Sequence, residues 1–204
     1  TSHELDTPEK MLIWSAVHNA TSTPKSVFKK CFGENDYGNE SYTLKGNLDL
    51  ENVSFYPAST VKGASLTGTK DAPATVKFHA DQMNSTMGQH QGLHAGLLYN
   101  PTGGVTAKDF TLEGTVANLD RNNSGALISG TLTGGGTFEN LTLKNLWVRD
   151  YQKTGKEEDG LLIAKIAAGT GTQTTTVDVT FNGISMTGYT HANTGVSGKK
   201  AAAA

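Results

Sequence analysis

The chain is poor in the residues that staple, charge or anchor a protein. One cysteine, Cys31, occurs in 204 residues. It cannot close an internal disulfide, so a small disulfide-stapled scaffold is excluded, and Cys31 reads as a small buried apolar residue. Only two arginines occur, Arg121 and Arg149, and the formal net charge is -2. That balance gives no electrostatic pull toward nucleic acid or an anionic membrane, and it weakens any phosphate-binding reading. The hydrophobic share is 36%. No stretch reads as a transmembrane span or a signal peptide.

What is abundant is glycine, 24 residues, together with Thr, Ser and Asn. This mix suits many short strands joined by tight turns better than a helical bundle. The length allows one domain with a real core, or a piece of a longer repeat array. The closing run "GKKAAAA" reads as a vector-derived tail and the opening "TS" as a cloning remnant. The expectation is therefore a piece excised from a larger protein.

One helix is predicted near the start, over "DTPEKMLIWSAVHNA". Thr7 serves as N-cap with Pro8 at the first helical position, where a missing N–H costs nothing. Asp6 as cap would instead place Glu9 at the capping-box spacing. Met11, Leu12, Trp14, Ala16 and Val17 supply the apolar face. Residues 21–41 read as a loop or a second short helical piece. From Tyr42 the pattern becomes alternating, with Leu44, Leu48, Leu50, Val53 and Phe55 as inward candidates. "TVKGASLTG" and "ATVKFHA" follow as strands, and "DQMNSTMGQHQGLHAG" as an inserted loop.

Three Gly-apolar-apolar signatures then recur, at Gly96, Gly125 and Gly160. Each is followed by a strand: "DFTLEGTV", "NLTLKNLWV" and "NGISMTGY". Aligning these strands stacks Phe110, Leu141 and Ile184 in one column. Thr111, Thr142 and Ser185 form the next, and Leu112, Leu143 and Met186 the third. Apolar, hydroxyl, apolar is a strand with one buried face. Phe110 to Leu141 is 31 residues and Leu141 to Ile184 is 43, the latter lengthened by "GTGTQTTTVD". Two signatures recurring in fixed order at this spacing indicate stacked coils, none able to bury its apolar columns alone. The columns predict Leu98, Leu127 and Leu162 over one another, with glycine at a corner where a Cβ would obstruct.

The predicted fold is all-β: a right-handed parallel β-helix (β-solenoid) with an N-terminal capping α-helix. An Ig-like β-sandwich is the alternative. Residues 1–41 hold the capping helix and loop, 42–190 the coils, and 191–204 a linker and tail.

The runs "TPEKMLIWSAVHNA", "LDLENVSFYP", "HQGLHAGLLYN", "VTAKDFTLEGTV", "NSGALISGTL" and "FENLTLKNLWV" together resemble the repeat regions of large Gram-positive, Clostridia-type cell-wall-anchored surface proteins with β-helical, Gly-Leu-rich repeats. The resemblance covers most of residues 5–190. It implies an extracellular, cell-surface location and a role as adhesin, ligand-binding module or stalk. Its implied partners are a host protein, a glycan or another module of the same surface protein. The wall-sorting motif of such proteins is absent from these residues.

Parallel β-helices also carry polysaccharide lyases and hydrolases, which need carboxylates converging on one face. In the alignment Asp109 stacks with Asn140 and Gly183, and Glu113 with Lys144 and Thr187, so no acidic ladder forms. Asp120–Arg121 and Arg149–Asp150 read as solvated loop ion pairs, and "KEEDG" at 156–160 as turn charges. His90 and His94 lie four apart with His79 upstream. They lack the neighbouring Glu and the third ligand that zinc would want. Neither a metal nor a cofactor is expected, and the chain is read as non-catalytic, with a carbohydrate-active β-helix enzyme as the alternative. The surface candidate is "NLWVRDYQ". Trp147, Arg149 and Tyr151 alternate, and an aromatic–Arg–aromatic set suits a contact hot spot or a sugar-stacking platform.

Overall fold

The computed structural model describes residues 2–19, 25–32, 41–50, 55–59, 61, 63–79, 96–118, 125–150, 160–167, 177–188 and 190–193. Thr7 caps the first helix, α1 (Pro8–Asn19). Its hydroxyl accepts from the Lys10 amide at 3.2 Å, and its carbonyl accepts from the Met11 amide at 3.1 Å. Asp6 instead pairs with Lys10 at 2.7 Å. A second helix, α2 (Lys25–Phe32), packs beside it.

The described residues hold fifteen strands, numbered in chain order, the first of them ahead of the helices. The first sheet runs β1 (Ser2–Leu5), β2 (Ser41–Leu44), β4 (Ala64–Thr67), β7 (Val105–Lys108), β10 (Gly136–Glu139), β13 (Val179–Asn182). The second runs β3 (Asn47–Asp49), β5 (Ala74–His79), β8 (Phe110–Asn118), β11 (Thr142–Asp150), β14 (Ser185–Thr187), with β15 (Thr190–Asn193) also on β11. The third runs β6 (Leu98–Tyr99), β9 (Ile128–Leu132), β12 (Ile163–Ile166), and Ala58 bridges Leu98 at its near edge. From β2 to β14 the chain visits first, second and third sheet in that rotation, the first visit to the third being the Ala58 bridge, and β15 then follows β14 in the second sheet. Every strand pairing among the described residues is parallel. An Ig-like sandwich is built from antiparallel sheets, so that alternative does not describe this chain.

The register reproduces the columns expected from sequence. Thr111 lies opposite Thr142 and Thr142 opposite Ser185, while Leu112, Leu143 and Met186 share the next row. The apolar rows face inward. Leu48, Val76, Leu112 and Leu143 are buried, as are Tyr42, Leu66, Ala107 and Phe138 of the first sheet. In that first-sheet row small Ala107 sits between Leu66 and Phe138, so large side chains are spaced by a small one. Phe138 then stacks on Phe181 with ring centroids 5.3 Å apart. At the last circuit the inward rows end in Phe181 and Met186, 50% and 46% exposed.

Corners are made by residues with positive φ. Between the first and second sheets Asp109 (φ 60), Asn140 (φ 50) and Gly183 (φ 67) occupy one column. Asn and Asp tolerate this conformation because their short side chains bond locally. Here Asn140 Nδ2 donates to Asp109 Oδ1 at 3.0 Å, and the Asn140 amide donates to the Asn182 carbonyl at 2.8 Å. Inside the second sheet the register slips between Lys144 and Trp147, a bulge that bends β11.

Gly125 and Gly160 stand where a Cβ would collide, as their signature suggested. A Cβ on Gly125 would overlap the Ile128 carbonyl and lie 2.8 Å from the Ala164 amide nitrogen. The stacking above them differs from expectation. At one step Leu98 lies opposite Ile128, not Leu127; at the next Ile128 lies opposite Ile163, which keeps Leu127 beside Leu162 as expected. The Leu97 and Leu98 amides both donate to the Leu127 carbonyl, at 3.2 and 2.9 Å. The Leu127 and Ile128 amides likewise both donate to the Leu162 carbonyl, at 3.0 and 3.1 Å, so the offset by one belongs to the step from Gly96 to Gly125 alone.

Further details differ from the reading of the sequence. Ser2–Leu5, whose first residue belongs to the "TS" read as a cloning remnant, forms β1 and extends the first sheet past β2, with Leu5 opposite Leu44. "YTLKGNLDL" is two strands, β2 and β3, broken at Gly46 (φ 71). β15 runs to Asn193, past the expected limit at residue 190. On α1 the buried face includes Ser15 and His18, while Ala16 is exposed. Val53 lies outside the described residues; Leu44, Leu48, Leu50 and Phe55 are fully buried.

Candidate functional site

The outward faces follow from the same two-residue period. On the first sheet Ser41, Ser65, Thr106, Thr137 and Thr180 form one outward row. On the second, Thr75, Thr111, Thr142 and Ser185 form another, and the Thr142 and Ser185 hydroxyls lie 3.1 Å apart. Neighbouring parallel strands are about 4.8 Å apart, so each row is a ladder of hydroxyls at that repeat.

The charged rows alternate in sign. Asp49, Lys77, Glu113 and Lys144 are successive lateral neighbours on the second sheet. Lys77 approaches Asp49 at 3.8 Å and Lys144 approaches Glu113 at 3.6 Å. On the first sheet Lys108 pairs with Glu139 at 2.7 Å, and Glu4 of β1 pairs with Lys45. Opposite charges laterally adjacent support register, while each exposed pair contributes under about 1 kcal/mol. The carboxylates of these rows are thus spread out, each beside a lysine. Among the described residues no group of three or more His, Cys, Asp or Glu side chains could hold a metal ion.

The aromatic–Arg candidate falls on the far half of β11, beyond the bulge. Trp147 is registered between Thr115 of β8 and Thr190 of β15. Arg149 is registered between Ala117 and Ala192. The two are two positions apart in β11. Their lateral neighbours are all small residues. Asp150 is registered with Asn118 and Asn193. Tyr151 lies outside the described residues.

His79 ends β5, registered with Thr115 in the same row as Trp147. His90 and His94, the Asp120–Arg121 pair and residues 156–159 of the acidic turn lie outside the described residues. Cys31 sits half-buried on α2 as the lone free thiol. The hydroxyl rows were legible in the aligned columns as a buried-face pattern, but their outward continuity on the first sheet was not. The signal for that was present in "SYTL", "ASLT", "VTAK", "GTFE" and "VTFN", which need the register to be aligned.

No known protein-family model matches the chain, and no curated protein and no solved structure matches it. Among the described residues no helix is long and apolar enough to cross a membrane.

Proposed function

We propose that the chain is a right-handed parallel β-helix acting as a non-catalytic module of a bacterial surface protein, outside the cell, in adhesion or ligand binding. The fixed rotation through three parallel sheets supports the β-helix, because only a coil that returns on itself supplies parallel neighbours by such short connections. The observation that carries the binding reading is the register around Trp147 and Arg149. An aromatic and a guanidinium residue two positions apart, flanked on both sides by Thr and Ala, form the composition of a contact platform. The hydroxyl rows beside it suit a hydrated, hydrogen-bonding partner such as a glycan or a protein surface. The alternative, a polysaccharide lyase or hydrolase, finds no support in the described faces, where each carboxylate of the rows has a lysine for its neighbour.

The test is an array of host glycans and extracellular-matrix proteins probed with the chain and with Trp147→Ala and Arg149→Ala variants. Binding reduced at least tenfold by either change, with the unfolding midpoint retained, is the expected outcome. Release of reducing or unsaturated ends from acidic polysaccharides by the chain would replace this reading with the enzymatic one. Empty arrays for the chain would leave a structural spacer role.

A further inference from the structure

The N-terminal end of the stack is closed by α1, and the closure has a titratable group inside it. Trp14 is fully buried, its ring 5.4 Å from Tyr42 and 6.3 Å from Phe55. His18, one turn further along, is 3% exposed and lies edge-on to Trp14 at 6.0 Å. This is where the last turn of α1 docks on residues 55–59. The Ser15 hydroxyl donates to the Tyr56 carbonyl, Asn19 Nδ2 donates to the Pro57 carbonyl at 2.9 Å, and the Ser59 hydroxyl donates to the His18 carbonyl at 3.3 Å. That docking segment carries Ala58, the first bridge of the third sheet.

A charge on His18 would gain from the helix C-terminus and lose from burial against aromatic rings. Burial dominates: desolvation pulls the imidazole down from 6.5 to about 4. The charged groups around the interface are engaged or exposed. Asp6 pairs with Lys10 and Glu4 with Lys45, while Glu9 is exposed. On α2, Lys29 and Lys30 are exposed. Asp49 of β3 pairs with Lys77. Among the described residues the elements packed on α1 also carry Cys31 of α2, Tyr42 of β2, Tyr56 of the docking segment, and His3 of β1. His3 is buried against Phe32 and Tyr42, at 5.4 and 5.6 Å.

We propose that α1 is an acid-released lid: proton uptake by the His18 imidazole undocks the helix from residues 55–59 and opens the N-terminal end of the stack. Release uncovers the apolar end formed by Leu48, Leu50 and Phe55. It also uncovers β3, which α1 contacts and which is the terminal strand of the second sheet among the described residues. An uncovered strand edge is a template for pairing with another chain, so acid would convert a closed end into an assembly surface.

The measurement is amide hydrogen exchange of the full chain at pH 7 and pH 5, corrected for intrinsic exchange rates. With the imidazole at 6.5 when released and about 4 when docked, the opening constant of α1 rises about twenty-fold between these values. The strands β8 and β11, remote from the lid, serve as the internal reference. His18→Phe removes the rise. An increase in α1 no larger than in β8 and β11, or the same increase in His18→Phe, overturns the proposal. Should His18→Phe fail to fold, the wild-type His18 ring resonances are titrated by NMR. A midpoint near 4 accompanied by loss of α1 protection supports the lid, and a midpoint near 6.5 with α1 protection unchanged overturns it.

Discussion

Replacing Asn140 by alanine and by glycine separates the two things a corner residue does. Asn140 holds φ at 50° and donates from Nδ2 to Asp109 Oδ1 at 3.0 Å. Both substitutions lose that exposed bond, costing roughly 0.5–1 kcal/mol. Alanine must also adopt the left-handed conformation, at about 1 kcal/mol more. Glycine adopts it freely and instead carries an unfolded-state entropy cost of roughly 0.5–1 kcal/mol, partly offset by relief of the strain that Asn itself bears. The chain already uses glycine in this column, at Gly183 with φ 67. The expected loss is about 2 kcal/mol for Asn140→Ala and about 1 kcal/mol for Asn140→Gly. Equilibrium urea unfolding followed by tryptophan fluorescence reads both from the shift in midpoint at constant slope. Asn140→Ala equal to or more stable than Asn140→Gly would refute the argument that the corner's conformation, rather than its hydrogen bond, sets the cost.

The inward row of the second sheet gives a gradient. Leu112→Ala, at a fully buried position between Val76 and Leu143, costs about 3 kcal/mol, whereas Met186→Ala in the same row, 46% exposed, costs less than about 1 kcal/mol in the same unfolding assay. Gly125→Ala places a Cβ against the Ile128 carbonyl and 2.8 Å from the Ala164 amide nitrogen. A loss of more than about 2 kcal/mol is expected, because backbone on both sides must move, and wild-type stability would show that the corner yields. On the solvated face Thr111→Val changes stability by no more than about 0.5 kcal/mol by thermal unfolding. The hydrogen bond to Lys10 holds the Asp6 carboxyl below 3.8. Its contribution is therefore intact above 3.8 and disappears as pH falls through the lower folded value. Asp6→Asn flattens the stability profile only in that acid limb, by a few tenths of a kcal/mol for an exposed pair.

What could be read along the chain was whatever repeats within a strand. Alternation marked Leu112, Leu143 and Met186 as one inward row, and their hydroxyl neighbours as the row beside it, because a strand sends successive side chains to opposite faces whatever it pairs with. The start of α1 was equally legible, since Thr7 and Pro8 act on the first turn alone. The candidate site was legible only as a spelling, "WVRDY". That Trp147 and Arg149 are flanked by Thr115, Thr190, Ala117 and Ala192 depends on strands far apart in sequence. The bulge after Lys144 sets that register, and nothing local to Trp147 marks it.

The sequence by itself determined the period, the inward and outward rows, the capped helix and the glycines that admit close backbone approach. These are local matters of side-chain alternation, capping and Cβ volume. Only the tertiary structure decided the one-residue offset that sets Leu98 against Ile128, the recruitment of Ser2–Leu5 into the first sheet, and the burial of Ser15 and His18 beneath α1. Each depends on which surface the segment meets. A parallel strand takes its register from how the preceding corner closes, and a helix buries the face that its partner offers rather than the face that its own hydrophobicity favours.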